Sequence, residues 1–246
     1  MWGNKTVTIF FPCKNEAENI QHVVEEAKNL CSNGTPVFDE IIVVDNNCTD
    51  DTAKIARRCG AIVVEESIQG YGAAMRKGLL TSNSDIIISC EPDGTFIISD
   101  AIKLLSYSED FSIVCGTRTT QHMIWTNANM KLLNRNANTI LAKFIELLYG
   151  TNSMSDCGCT FRLIHKDSLS KIRDLFSTYK SNFLPDMIIS SVIAKISFVE
   201  IPVNYRERVG DSKITGTFKG QIKTGLSMLF LALRRWPSFL KSKLLS

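Results

Sequence analysis

The chain has 246 residues, 44% of them hydrophobic and 22% charged, with 14 Gly and 6 Pro, which excludes a disordered, collagenous or coiled-coil protein and allows one sizeable core. The net charge of +3 is uneven: residues 1–211 carry 21 Lys/Arg against 25 Asp/Glu, whereas 212–246 carry seven basic residues and no acid. The body is therefore no nucleic-acid surface, while the tail can meet an anionic one.

Strand-like and helix-like segments alternate through the first half. Residues 6–11 are a β-rich run closed by Pro12, and 15–30 place Ile20, Val23, Val24, Ala27 and Leu30 at helical spacing. A second strand, 40–44, ends at Asp45, followed by a short helix over 49–59, a strand at 61–64 and a helix over 70–80. A fourth strand, 85–90, ends at Glu91-Pro92-Asp93-Gly94. Alternation with strands this apolar predicts a mostly parallel α/β sheet covered on both faces. The second half is less regular, with helices expected over 129–148, 186–196 and 218–233 and strands over 159–165 and 197–205. No linker composition appears, so one continuous domain over 1–216 is expected, followed by a basic amphipathic tail over 217–246.

Eight scattered cysteines without a CxxC pair, and only three His, argue against a disulfide framework or structural zinc site and for free thiols in a reducing compartment. Residues 1–15 lack the basic start of a signal peptide. The longest clean apolar run of the tail spans about 12 Å as a helix, far short of a bilayer's roughly 30 Å. Its apolar face, from Ile222 to Leu240 with Trp236, is bordered by lysines and arginines. Two readings follow, an interfacial helix on a membrane or a helix packed on the domain or on another subunit.

In an open parallel sheet, ligands bind beyond the carboxyl ends of the strands. Asn15, Glu16, Asp45, Glu91 and Asp93 all fall there. Glu91 and Asp93, set two residues apart around a proline, are hard oxygen donors suited to Mg²⁺ or Mn²⁺ carrying substrate phosphates, or else an acidic turn. Gly70-Tyr71-Gly72-Ala73-Ala74-Met75 is no dinucleotide fingerprint, because it follows the third strand and has Met75 at the sixth position. Its glycines either let backbone approach a ligand phosphate or cap the helix.

Taken in order, Phe11-Pro12-Cys13-Lys14-Asn15-Glu16, Ile42-Val43-Val44-Asp45-Asn46-Asn47, Gly70-Tyr71-Gly72-Ala73-Ala74, Glu91-Pro92-Asp93-Gly94, Gly116-Thr117-Arg118 and Arg208-Val209-Gly210-Asp211-Ser212-Lys213 form a series. With it the chain resembles the family 2 glycosyltransferases of GT-A fold, and looks most like the branch that makes polyprenyl- and dolichyl-phosphate sugars. The resemblance implies a Rossmann-like nucleotide-binding half fused to an acceptor half. It assigns the nucleotide pocket to Pro12, Asn15, Glu16, Asp45 and Gly70, and the metal to Glu91 and Asp93. Arg118, Arg135 and Arg162 become acceptor-phosphate ligands, and Arg208, Ser212 and Lys213 a segment closing on the phosphates. The family usually has Asp where this chain has Glu91 and Asn46.

The expected activity is metal-dependent, inverting transfer of a sugar from a UDP- or GDP-sugar to a polyprenyl phosphate, by a cytoplasmic protein or one peripheral on the cytoplasmic membrane face. Asp93 and Arg118 are the expected catalytic groups. A phosphate acceptor, with a second pKa of about 6, needs no general base. A hydroxyl acceptor would need one, for which Asp156 is the first candidate and Asp186 the second. The alternatives are such a hydroxyl-directed transferase and a non-catalytic nucleotide-sugar binder.

Overall fold

A computed structural model describes residues 1–128, 130, 132–151, 154–208 and 218–244. Among the described residues, nine strands and eight α-helices run in the order β1 (Val7–Cys13), α1 (Ile20–Asn29), β2 (Cys31–Ser32), β3 (Thr35–Pro36), β4 (Glu40–Asp45), α2 (Thr52–Arg58), β5 (Ile62–Glu65), α3 (Tyr71–Thr81) and β6 (Ile86–Ser89). They continue with α4 (Ala101–Ser106), β7 (Ile113–Thr117), α5 (Leu132–Tyr149), β8 (Arg162–His165), α6 (Lys166–Ile172), α7 (Phe183–Ile193), β9 (Phe198–Pro202) and α8 (Phe218–Leu244). Seven strands form one sheet in the order β5-β4-β1-β6-β8-β7-β9, and only β8 runs antiparallel to its neighbours. The short β2–β3 hairpin stands apart.

The sheet separates two apolar layers. Residues alternating along β1 divide between them: Val7, Ile9 and Phe11 pack with α1 residues Ile20, Val23 and Val24, while Phe10 packs with Met75, Leu79 and the core of α7. All of β1 is buried, as expected for a central parallel strand covered on both faces.

Pro12, expected to close the strand, lies inside it. The carbonyls of Val7 and Cys13 pair toward β4, and those of Thr6 and Phe10 toward β6. By that alternation the nitrogen of Pro12 faces the β6 side, where pairing has already ended at Phe10, so the missing N–H removes no ladder bond.

The helix expected over 15–30 begins later, at Ile20. Asn15 takes a positive φ of 54°, and residues 15–17 form a turn stitched to the α2 entry, with Glu16 N donating to Thr52 Oγ1 at 2.8 Å and Ala17 N to Asp50 Oδ2 at 3.1 Å. α7 begins at Phe183, upstream of the expected 186, because Pro185 is tolerated in a first turn. The expected helix start at 129 lies outside the described residues.

The C-terminal helix runs through Pro237 to Leu244. One face packs on the domain: Leu231, Ala232 and Phe239 are buried, Trp236 meets the Tyr149 ring edge-on, and Tyr149 OH donates to Ala232 O at 2.7 Å. Arg235 sits 3.6 Å from Asp186 and donates to Ser190 Oγ at 3.1 Å. The other face exposes Ile222, Leu226, Phe230, Leu233 and Leu240. Helix packing on the domain thus accounts for one face only. No helix among the described residues is long and apolar enough to cross a membrane.

Candidate active site

The parallel strands β1, β4, β5 and β6 end on one edge, and the turns that follow them enclose a cavity of about 910 Å³. Its floor is polar, with Glu16 after β1, Glu91 and Asp93 after β6, Arg118 after β7, and Arg208. Its far wall is apolar, from Ile140, Leu141 and Phe144 of α5 and Leu226, Met228 and Leu229 of α8.

Asp93 is 1% exposed. Its Oδ1 accepts from Thr95 N at 3.0 Å and Thr95 Oγ1 at 2.6 Å, the Asx turn that Pro-Asp-Gly-Thr favours. Its Oδ2 has no hydrogen-bond donor, and the Arg208 guanidinium meets it as an ion pair at 2.9 Å. The acidic turn therefore does not exclude a ligand at Asp93, since one oxygen builds the turn and the other meets Arg208.

Glu91 Oε1 accepts from Thr160 Oγ1 at 2.8 Å, and that hydroxyl lies 2.5 Å from Tyr71 OH. Burial, and then the charge of Asp93, push the Glu91 carboxyl up to about 7. A carboxyl raised in the folded state binds its proton more tightly there than in the unfolded chain. It contributes stability that is full below its ordinary 4.5 and lost as pH rises through about 7. Metal-free protein is expected to lose stability over that window, and Glu91→Gln to flatten the slope in denaturant titrations across the same range.

Arg118 is held in a bidentate pair by Asp156, Nε to Oδ2 at 2.8 Å and Nη2 to Oδ1 at 3.0 Å. Asp156 is fully buried and also accepts from Arg118 N, Gly158 N and Asn138 Nδ2. Burial alone would raise this carboxyl, but the Arg118 charge and these hydrogen bonds hold it below the usual carboxylate range. Such a group is a poor proton acceptor, so the expectation of Asp156 as general base is corrected: it positions Arg118. Asp186, the second candidate, is fully buried, accepts from Ser177 N and Oγ, pairs with Arg235, and does not line the cavity.

Arg162 is also corrected. It is 1% exposed, and its guanidinium donates at 2.7 Å to each of the carbonyls of Cys159, Leu184 and Cys157, tying the 157–159 turn to α7. Nothing of it is offered to an acceptor phosphate. Arg135, on α5, is not among the lining residues, whereas its neighbours Asn134 and Asn138 are. Ser212 and Lys213 lie outside the described residues.

Of the expected nucleotide residues, Pro12, Glu16 and Gly70 line the cavity, whereas Asn15 and Asp45 do not. Asn15 Oδ1 accepts from Thr49 N at 2.7 Å, and Asp45 Oδ1 from Cys48 N at 2.8 Å, so both shape the turns behind the cavity. Asn46 donates to Glu66 O at 3.0 Å and Ile68 O at 2.7 Å and accepts from Gly70 N at 2.9 Å. An aspartate has no N–H for those two carbonyls, which accounts for Asn at this place. The Gly70 N–H is thereby taken. The glycines serve a close chain approach instead: a Cβ on Gly72 would lie 2.6 Å from Tyr179 C and 2.7 Å from Lys180 O. Gly72→Ala is expected to lower stability by about 1–3 kcal/mol, read from the denaturant midpoint.

Lys14, Asn138 and Tyr205 also line the cavity, and Thr160 orients Glu91. Sequence reasoning gave them no role: Asn138, Thr160 and Tyr205 become visible only when α5, β8 and β9 are placed against the parallel half, whereas Lys14 follows β1 beside Glu16 and was passed over.

Comparison with known proteins agrees with this geometry. The model of the family named Glycosyl transferase family 2 matches residues 8–173. A dolichyl-phosphate hexose transferase of Haloferax volcanii is 28% identical over 195 residues, covering 79% of this chain and 81% of its own. The human dolichyl-phosphate beta-glucosyltransferase is 23% identical over 255 residues, covering 95% and 78%. Among solved structures, glucosyl-3-phosphoglycerate synthase from Mycobacterium tuberculosis, in complex with Mn²⁺, UDP and phosphoglyceric acid, superposes with a TM-score of 0.72 at 15% identity, covering 95% of this chain and 79% of its own. The chain belongs to glycosyl transferase family 2 and is a glycosyltransferase of GT-A fold, near the dolichyl-phosphate sugar synthase branch.

Proposed function

We propose that this enzyme transfers a sugar from a UDP- or GDP-sugar to a polyprenyl phosphate, with inversion, using a divalent cation. The carrying observation is the cavity itself, whose carboxylate- and arginine-lined floor continues into an apolar wall from α5 and α8. A ligand with an anionic head and a hydrocarbon tail matches both parts, and the names of the dolichyl-phosphate relatives support that acceptor class.

Arg118 is preorganised for the acceptor head group. With Asp156 consuming its Nε edge, the guanidinium is held in one orientation at the cavity floor, a rigid fork suited to phosphate. A phosphate nucleophile attacks the anomeric carbon directly, and the absence of a basic role for Asp156 is consistent with a reaction that needs no proton acceptor. Lys14 and Arg208 flank the donor side and are placed to offset charge on a departing nucleoside diphosphate.

Glu91 and Asp93 fit a Mg²⁺ or Mn²⁺ ion, because Asp93 Oδ2 is a buried hard donor without a hydrogen bond and Glu91 stands beside it. Among the described residues no three acidic, thiol or imidazole groups converge closely enough to hold a metal ion by themselves, so diphosphate and water would complete the shell. When bound, such an ion supplies Lewis-acid stabilisation of the leaving diphosphate.

The exposed stripe of α8, with Phe230 67% and Leu226 60% exposed, together with Ile140 of α5 at the cavity mouth, supports peripheral contact with a bilayer. The acid-free, basic tail favours the anionic cytoplasmic leaflet.

The cavity wall supplies the test. Leu229→Glu is expected to raise the acceptor KM about tenfold or more, since a charge would lie against the lipid, while the donor KM stays within about twofold. Equal shifts in both constants, or none, would remove the wall from acceptor binding.

A further inference from the structure

The two arginines on the cavity floor are seated in different ways. Arg118 is fixed by directional bonds, its Asp156 partner accepting five hydrogen bonds in all, three of them from Arg118. Arg208 is not. Its Nη1 lies 2.9 Å from Asp93 Oδ2 and its Nη2 3.6 Å from Glu16 Oε1, yet neither approach has hydrogen-bond geometry, and its buried Nε has no partner. Arg208 therefore spans the floor from the β1 turn to the β6 turn, held by charge rather than by directional bonds.

The atom it sits on is the one best suited to a divalent cation. Asp93 Oδ1 is committed to Thr95, so Oδ2 is the oxygen that remains for a cation. A guanidinium at 2.9 Å and a metal at the usual hard-cation distance of about 2.1 Å cannot occupy the same oxygen without strong like-charge repulsion.

We infer that Arg208 is the resident counter-cation of Asp93 and competes with the divalent metal for Asp93 Oδ2, yielding it when a nucleoside diphosphate supplies the guanidinium with another anion. This rests on the metal reading given above and adds an order to it. Glu16, Glu91 and Asp93 bring three carboxylates to one floor, and Arg208 neutralises part of that charge until the ion arrives. Free metal is then bound weakly, and metal with diphosphate is bound together, because the diphosphate both ligates the ion and accepts Arg208. The acceptor plays no part in the step.

Binding of Mn²⁺ to purified protein, followed by loss of the free-ion electron paramagnetic resonance signal, tests this without turnover. With Mn²⁺ alone, Arg208→Gln is expected to bind about tenfold more tightly than wild type, whereas Arg208→Lys, which keeps the charge, stays near wild type. Adding UDP (or GDP, if only that binds) is expected to strengthen Mn²⁺ binding by wild type more than by Arg208→Gln. Equal Mn²⁺ affinities of wild type and Arg208→Gln without nucleotide would overturn the competition. If Asp93→Asn left Mn²⁺ binding unchanged even with nucleotide, the metal assignment itself would fail, and the competition with it. Thermal melts of each variant show whether the folded protein is being compared.

Discussion

Asp93→Asn is expected to lower kcat about 10²–10³-fold while leaving the fold intact. The amide oxygen of Asn can still accept from Thr95 N and Oγ1, so the turn after β6 survives. What disappears is the charge on the oxygen that faces the cavity, and removal of one such stabilising group from a charged transition state has an effect of that size. Asp93→Ala is expected to lose the same activity and, in addition, about 1–3 kcal/mol of stability, since Thr95 N–H and Oγ1 lie buried without an acceptor. The pair of variants separates chemistry from folding. Similar kcat values for Asp93→Asn and wild type at saturating metal would remove Asp93 from the reaction.

Asp156→Ala is expected to have the largest effect on stability, about 3–5 kcal/mol, because it strands the Arg118 guanidinium, 13% exposed, beside a fully buried gap. The milder Asp156→Asn keeps an acceptor for Gly158 and Arg118 but loses the charge. Its expected signature is a raised acceptor KM from a loosened Arg118. The pH profile separates this from a base role: a general base would lose the acidic limb of kcat on substitution, whereas a positioning residue leaves the shape of the profile unchanged. Glu200 extends the same arrangement, accepting from Ser155 N at 2.7 Å and Asp156 N at 3.0 Å, which fixes the turn that carries Asp156.

The parallel half was legible because each strand there is a continuous apolar run ending in a polar turn, so topology alone brings Glu16, Glu91 and Asp93 to one edge. Boundaries slipped where local chemistry overrode periodicity, as at Asn15, whose positive φ and bonds to Thr49 delay α1. β7, α4 and α6 went unassigned because they lie beyond the four regular strands, where strand–helix alternation no longer frames a short segment. Within the site, residue type did not distinguish a ligand from a brace. Arg118 and Arg162 follow or lie in adjacent strands and are equally basic, but one points into the cavity and the other into three backbone carbonyls. Asp156 has the sequence context of a base, and only its five donors show that its proton affinity is low. Asn46, a departure from the family pattern, is explained by two carbonyls twenty or more residues away, which no local reading of its motif contains. The two faces of α8 gave support to both packing and exposure, and the structure divides them between Leu231–Phe239 contacts on one side and Leu226–Phe230 on the other.

The most direct test of lipid-phosphate glycosylation is a phase-partition assay with Mn²⁺ or Mg²⁺, a short polyprenyl phosphate and a panel of radiolabelled UDP- and GDP-sugars, run beside the corresponding polyprenol. Label passing into the organic phase with the phosphate and not with the alcohol, and lost with Asp93→Asn, is the predicted result. Transfer to the alcohol or to a soluble glycan with none to the phosphate would contradict it.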